Sequence, residues 1–309
     1  MHLNKALFAD VSLLMVAFVW GATFVLVQNA ISFLEPFSFN GIRFFAASLL
    51  LGVWLLLFER DQFRFLTRKL LLSGMLLGFW LFIGYAFQTA GLLYTSSSKA
   101  GFITGLSVVL VPLFAIFLLK QRPGANAVIG VLIAAAGLYL LTMTDTAGLN
   151  LGDGLIFICA IGFAMHIIFT GKFSGSYPTL LLTVVQISTV AVLSSLFSIG
   201  FENWRQAFEP KIILSGNVLT ALIITSVFAT ALAFFAQTNF QKFTTPTRVA
   251  LIFAMEPVFA ATTAYMWAGD RLSINAILGC ILIFAGMVFA ELPATKNIIL
   301  KKFKRKHAA

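Results

Sequence analysis

Glu256 is the residue with most to explain. It stands in Met255-Glu256-Pro257-Val258-Phe259, inside an apolar run, eight residues after Arg248. At about 1.5 Å of rise per residue, it lies roughly 12 Å deep, close to the middle of a bilayer. An ionisable group at such a depth costs about 2.5–3.5 kcal/mol to insert, and it marks function by default. One chemistry is coupling: Glu256 takes up a proton or a cationic group of a substrate. The other is structural: a buried acid that bonds its helix neighbours and holds a kink. Pro257 supplies the kink, because it has no N–H to give to the carbonyl of Phe253. Arg43, in Phe39-Asn40-Gly41-Ile42-Arg43, is the second ionisable residue inside an apolar run. It attracts a carboxylate or phosphate on a substrate, or its guanidinium reaches outward to loop carbonyls or to Glu35.

Several polar residues fall on coherent helix faces. Tyr85, Gln88 and Thr89 are spaced i, i+3, i+4, and Thr230, Phe234, Gln237 and Gln241 form a stripe. Trp20 pairs with Thr23, and His166 with Thr170, in the same way. Amides and hydroxyls beside aromatic surfaces are what a pocket for an aromatic or amphipathic metabolite needs. The same residues also serve as glue between membrane helices, at about 0.6 kcal/mol each, or bond back to their own turn. His166 is either a packing residue or a proton carrier suited to neutral pH. Lys99 and Arg248, each near the start of an apolar run, either help to bind an anionic, phosphorylated substrate or reach to the interface.

No catalytic constellation accompanies these residues. Ser107 is followed by Val108-Val109 and not by glycine, and Asp153 has no second aspartate within a span. His2, His166 and His307 are too scattered for a zinc pair, and Cys159 and Cys280 lack metal-ligand or disulfide spacing. There is no P-loop or Gly-x-Gly-x-x-Gly motif. Neither an enzyme, a cofactor, a metal site nor direct drive by ATP is expected, although an intramembrane enzyme and a passive channel stand as alternative readings.

The elements that position these residues follow from composition. Of 309 residues 60% are hydrophobic and only 10% charged, against about 25% charged in soluble domains. A soluble globule of this length cannot hide so much apolar surface. Charges divide the chain into ten apolar runs: 11–32, 38–58, 70–94, 100–119, 126–143, 154–170, 179–200, 212–237, 249–268 and 274–290. Inside lipid the backbone must satisfy itself, so the runs are helices. The chain is read as an all-α integral membrane protein. Of its 21 Lys and Arg residues, Lys99, Arg205, Lys211 and Arg271 alone fall in loops on one side, and Arg43 lies within a span. The positive-inside rule therefore puts both termini in the cytoplasm. The net charge of +10 resides in these loops and in the tail Lys301–Lys306, which pins the C-terminus to anionic lipid. No nucleic-acid partner is expected.

The chain also repeats itself. A shift of 149 places lays residues 88–137 on 237–286 without a gap. Gln88-Thr89 falls on Gln237-Thr238, Lys99 on Arg248, Asn126-Ala127 on Asn275-Ala276, Gly130 on Gly279 and Gly137 on Gly286. Each repeat then has five spans, an odd number, so the second enters the membrane from the opposite side. Ten transmembrane helices as two inverted five-helix repeats are expected, residues 1–147 and 148–292, with residues 293–309 as a basic tail. A substrate site belongs near the midplane between the halves. The paired glycines lie seven apart on one face each, which reads as close packing within the chain or as a homodimer seam.

Trp20-Gly21-Ala22-Thr23-Phe24, Phe39-Asn40-Gly41-Ile42-Arg43, Tyr94-Thr95-Ser96-Ser97-Ser98-Lys99-Ala100-Gly101-Phe102, Pro112, Gly130 to Gly137 and Met255-Glu256-Pro257 together resemble the EamA-like branch of the drug/metabolite transporter superfamily. The resemblance covers nearly the whole chain. It implies a ten-span carrier of small metabolites, often an exporter, in the cell membrane. One departure is plain: the family's Gly-Glu after spans 4 and 9 is replaced by Gln121 and Asp270. The expected solute is a small organic metabolite such as an amino acid or an amphipathic drug-like compound, with a proton or an exchanged solute as the coupling partner. The candidate substrate-binding residues are Trp20, Thr23, Tyr85, Gln88, His166, Gln237 and Glu256. Arg43, Lys99 and Arg248 are candidate electrostatic or structural residues.

Overall fold

The computed structural model describes residues 2–95, 97–142, 150–263, 265–266 and 273–292. Asp270, Arg271, His307 and the tail Lys301–Lys306 lie outside the described residues. Every element among the described residues is helical. The first half runs α1 (His2–Ala30), α2 (Pro36–Phe58), α3 (Arg68–Gly91), α4 (Ser97–Gly105), α5 (Ser107–Leu118) and α6 (Ala125–Thr142). The second runs α7 (Leu151–Phe173), α8 (Thr179–Phe201), the short α9 (Pro210–Ile213), α10 (Gly216–Ser226), a π-helical turn (Val227–Leu232), α11 (Ala233–Phe240), α12 (Pro246–Phe253), α13 (Glu256–Thr263) and α14 (Ile274–Glu291).

Among the described residues, seven helical stretches are long and apolar enough to cross a membrane, taking α4–α5 as one and α10–α11 as another. Two shorter apolar helices, Ala125–Leu141 and Ile274–Ala290, and the broken pair α12–α13 supply the remaining crossings. Local signals set the ends. Thr67 accepts from Leu70 N at the start of α3, and Asn150 with Asp153 forms a capping box on α7. Glu202, at the end of α8, accepts from Phe37 N and Ser38 N at 2.7 Å each, tying the start of α2 to its neighbour. Loops on the side where α1 joins α2 are called the α1–α2 face below, and the opposite side the α2–α3 face.

The packing is two-fold in character. Helix α6 crosses α14 antiparallel, so close that a Cβ on Gly130 would lie 2.5 Å from Gly286 O and one on Gly286 2.6 Å from Gly130 O. Gly137 and Gly279 meet in the same reciprocal way, at 2.7 and 2.6 Å. A shift of 149 places turns the first pair into the second, as an in-plane pseudo-two-fold axis requires. The glycines thus face each other within the chain. Replacing Gly137 with Val should lower the thermal stability of the detergent-purified protein markedly, since overpacking costs about 1–3 kcal/mol. Gly52, with nothing within 4 Å of a built Cβ, should accept alanine without loss. Equal melting of the Gly137 variant and the wild type would contradict the close crossing.

The breaks repeat as well. Leu106 separates α4 from α5, and Ala254-Met255 separates α12 from α13. The same 149-place shift carries Leu106 to Met255 and Ser107 to Glu256. Pro257 explains the second break, because it cannot donate to the preceding turn; Pro112 lies within α5 and not at the first. The π-helical turn has no counterpart in α3, which is α-helical over the corresponding residues 78–83.

Candidate functional site

Between the two halves lies a cavity of about 330 Å³, within the range of small-ligand sites. Trp20, Thr23, Arg43, Tyr85, Gln88, His166, Gln237 and Glu256 all line it. Lys99 and Arg248 do not belong to its wall; they form ion pairs elsewhere. The cavity leans toward the α1–α2 face, where Gln28 at the end of α1, Leu92 after α3 and Leu141 on α6 contribute to its rim. Gln237 on α11, with His166 and Ile167 on α7, contributes to the opposite end. Its aromatic surface comes from Trp20, Phe24, Tyr85, Phe163, Phe234 and Phe253. The Trp20 ring sits 5.0 Å from Phe253 and 5.4 Å from Phe234, fixed by mutual packing.

Glu256 stands on the cavity wall as the first residue of α13, just past the helix break. Its neighbour across the interface is Gly21. A Cβ there would lie 2.5 Å from the Glu256 carbonyl oxygen, so the glycine lets α1 approach the backbone that carries the acid. Trp20 and Thr23, flanking that glycine, are brought to the cavity by the same contact. The Thr23 hydroxyl donates to Val19 O at 2.8 Å, and Thr89 likewise to Tyr85 O at 2.7 Å. Both donors are thus taken up by their own helices.

Arg43 is buried, with 2% exposure, and does not reach the interface. Its Nε donates to Thr230 Oγ1 at 2.6 Å and its Nη2 to Ala229 O at 3.2 Å. The guanidinium also lies 5.0 Å from the centroid of Tyr85 and 5.4 Å from that of Phe44. Glu35 accepts instead from Asn203 N. The backbone acceptor for Arg43, Ala229 O, is free because of the π-helical turn. There the N–H of Ala233, the ordinary partner of Ala229 O, turns to Phe228 O and Thr230 O. Ala229 O takes the indole N–H of Trp20 at 2.8 Å as well. A single irregular turn therefore fixes two wall residues from two other helices, which fits the frequent placement of π-bulges at functional sites.

The amides divide. Gln237 donates to Gln241 Oε1 at 3.3 Å, and its own Oε1 is buried with no hydrogen bond among the described residues. That acceptor is available to a ligand donor or to water. Gln88 is half-buried near the rim. His166 Nε2 is 3.0 Å from Gln186 Oε1, while the Gln186 nitrogen donates to Thr238 Oγ1 at 2.9 Å. This chain assigns the Nε2 proton to the Gln186 bond and leaves Nδ1 as an acceptor.

Gln186, the π-helical turn and two ion pairs were not singled out from the sequence. Lys99 Nζ meets Asp153 Oδ2 at 3.5 Å, and Arg248 Nη2 meets Asp10 Oδ2. Asp10 and Asp153 sit at the starts of their repeats, six places away from the 149-place shift, so an ungapped comparison passes over them. No sequence signal marks the π-helical turn.

Comparison with known proteins bears on the chain as a whole. The model of the EamA-like transporter family matches residues 7–143 and again 150–291. An uncharacterized transporter of Archaeoglobus fulgidus is 33% identical over 93% of this chain and 87% of its own length. The uncharacterized transporter YoaV of Bacillus subtilis is 20% identical over 88% of this chain and 92% of its own. A solved crystal structure superposes with a TM-score of 0.75 at 20% identity, covering 91% of this chain and 96% of that one, a likeness of fold.

Proposed function

Since this chain belongs to the EamA-like transporter family, within the drug/metabolite transporter superfamily, and is a multi-pass membrane transporter, we propose that it moves a small organic metabolite by alternating access. One observation carries the reading. A cavity between two inverted halves gathers a carboxyl, a guanidinium, three amides and the six rings of its Phe, Tyr and Trp residues. Such a wall suits an amino acid or an amphipathic drug-like compound: rings for an apolar portion, Glu256 for a cationic group or a proton, Arg43 for an anionic one. The repeats, residues 1–147 and 148–292, make two oppositely open conformers close in energy, as alternating access requires. Export is the direction that the family resemblance favours.

The carrier reading is preferred to a passive pore because α5 packs against α12 on the α2–α3 side of the cavity. It is preferred to an enzyme because, among the described residues, the wall hydroxyls Thr104 and Ser107 make no hydrogen bond to His166 or Glu256. The distribution of basic residues supports a cell (inner) membrane location with both termini cytoplasmic. It also supports a lipid-binding role for residues 293–309.

The primary test is a screen of amino acids and amphipathic cations for thermal stabilisation of the purified protein, followed by flux in proteoliposomes. No saturable flux of any stabilising compound would end the proposal. With a substrate in hand, Gln88→Ala and Gln237→Ala should each weaken affinity by about three- to tenfold, the worth of one hydrogen bond of about 1 kcal/mol. If expression falls while affinity holds, these amides serve only as helix glue.

A further inference from the structure

The two ion pairs are mates under the pseudo-two-fold axis. Lys99 at the start of α4 reaches Asp153 at the start of α7, and Arg248 at the start of α12 reaches Asp10 in α1. Lys99 becomes Arg248 under the 149-place shift, and each acid lies in the first helix of the opposite repeat. One pair therefore lies toward the α1–α2 face and the other toward the α2–α3 face. Placed so, they invite a reading as two gates, one opening while the other closes.

The helices around them argue otherwise. The axis relates α5 to α13 and α12 to α4, so the α5–α12 contact should equal the α4–α13 contact in a symmetric molecule. It does not. Helices α5 and α12 are closely packed, through Val108 and Val111 on one and Leu251 and Ile252 on the other, whereas α4 and α13 barely meet. On α13 the residues that would close the second contact, Pro257 and Ala260, line the cavity instead. Gly101 and Thr104 on α4 face it as well. These four are the mates of Ala250, Phe253, Val108 and Val111. The molecule is thus shut at the α5–α12 contact and open at the α4–α13 contact.

From this asymmetry we infer that Asp10–Arg248 and Asp153–Lys99 are permanent clamps, and that the moving parts are the α5–α12 and α4–α13 contacts. The inference rests on the alternating-access reading. The opposite conformer then arises by exchanging the conformations of the two repeats. That exchange hands the α5–α12 contact to α13–α4, and it hands each ion pair to the other. Both pairs are formed here, on the open side as well as on the shut side, so both are formed after the exchange. Each clamp joins a broken helix to the first helix of the other repeat: α12 to α1, and α4 to α7. The burial of Asp153 agrees with permanence. It is 3% exposed and also accepts from Thr95 Oγ1 and from Asn150 N at 3.0 Å. Withdrawing the lysine would strand a carboxylate among packed helices.

The test uses the full chain with Cys159 and Cys280 replaced by alanine and one reporter, Ser107→Cys, on the cavity wall. A membrane-impermeant maleimide is applied to each side of right-side-out and inverted vesicles. The reporter is expected to react from both sides. Reaction from one side only would sink the carrier reading and the clamps with it. Adding Asp10→Cys and Arg248→Cys, and closing them as a disulfide before labelling, should leave reaction from both sides intact. Loss of reaction from the α2–α3 side, reversed by prior reduction, would identify a gate and overturn the proposal. A second lock keeps the test decisive if that variant does not fold. Thr104→Cys joined to Ala260→Cys should abolish reaction from the α1–α2 side alone. Continued reaction from that side with the disulfide formed would put the moving contact elsewhere and overturn the proposal.

Discussion

Glu256→Gln is expected to abolish transport driven by a pH gradient while exchange of labelled for unlabelled substrate continues. The amide keeps the size of the carboxyl and the start of α13, so the break after Phe253 and the contact with Gly21 should survive. What disappears is the carboxyl of the cavity wall, which can alternate between charged and neutral forms. Gradient-driven flux needs that alternation, whereas exchange needs only a site that opens to both sides. Parallel assays on one proteoliposome preparation, one with an imposed pH step and one with substrate on both sides, give the comparison. If both activities persist unchanged, Glu256 is a structural acid. If both are lost from a protein that still folds, it binds substrate directly.

Arg43→Lys should cost affinity for an anionic or zwitterionic substrate about 10–100-fold, since hydrogen bonds to charged groups contribute about 1.5–3 kcal/mol each. Lysine keeps the positive charge but cannot hold Thr230 and Ala229 with one face of a planar fork while presenting another to the cavity. Thr230→Val provides the companion measurement. It removes the acceptor at 2.6 Å without touching the arginine, so a positioning role predicts a smaller loss in the same direction. Titrating substrate against the thermal stability of each variant reads the affinity directly. Unchanged affinity in both variants would make the guanidinium a packing element of the π-helical turn.

The scaffold was legible because lipid leaves the chain few options. Long apolar runs must be helices, and the coincidence of Gln88 with Gln237 and of Gly130 with Gly279 reveals a second copy. The glycine spacing allowed close packing within the chain or a homodimer seam, and the Gly130–Gly286 and Gly137–Gly279 contacts show the first. The cavity wall was legible to the extent that polar residues share faces with aromatic ones; Tyr85, Gln88, Gln237 and Glu256 declared themselves in this way. What escaped depends on geometry that residue types do not encode. Val227–Leu232 has the composition of an ordinary helix, yet its π-helical turn decides where Arg43 and Trp20 are held. Leu106 marks a helix break without a proline, by correspondence with Met255. Asp153 sits at a helix start, where acids are common for dipole reasons, Asp10 lies within α1, and only three-dimensional packing joins them to Lys99 and Arg248. The charges that define the site are also asymmetric: Glu256 corresponds to Ser107, so a symmetric frame carries chemistry on one side only.

Counterflow in proteoliposomes tests the alternating-access account most directly. Vesicles loaded with unlabelled substrate should take up labelled substrate faster than empty ones, with a rate that saturates as the external concentration rises. Uptake that grows linearly with concentration and ignores what lies inside the vesicles would describe a pore, and the account would not survive it.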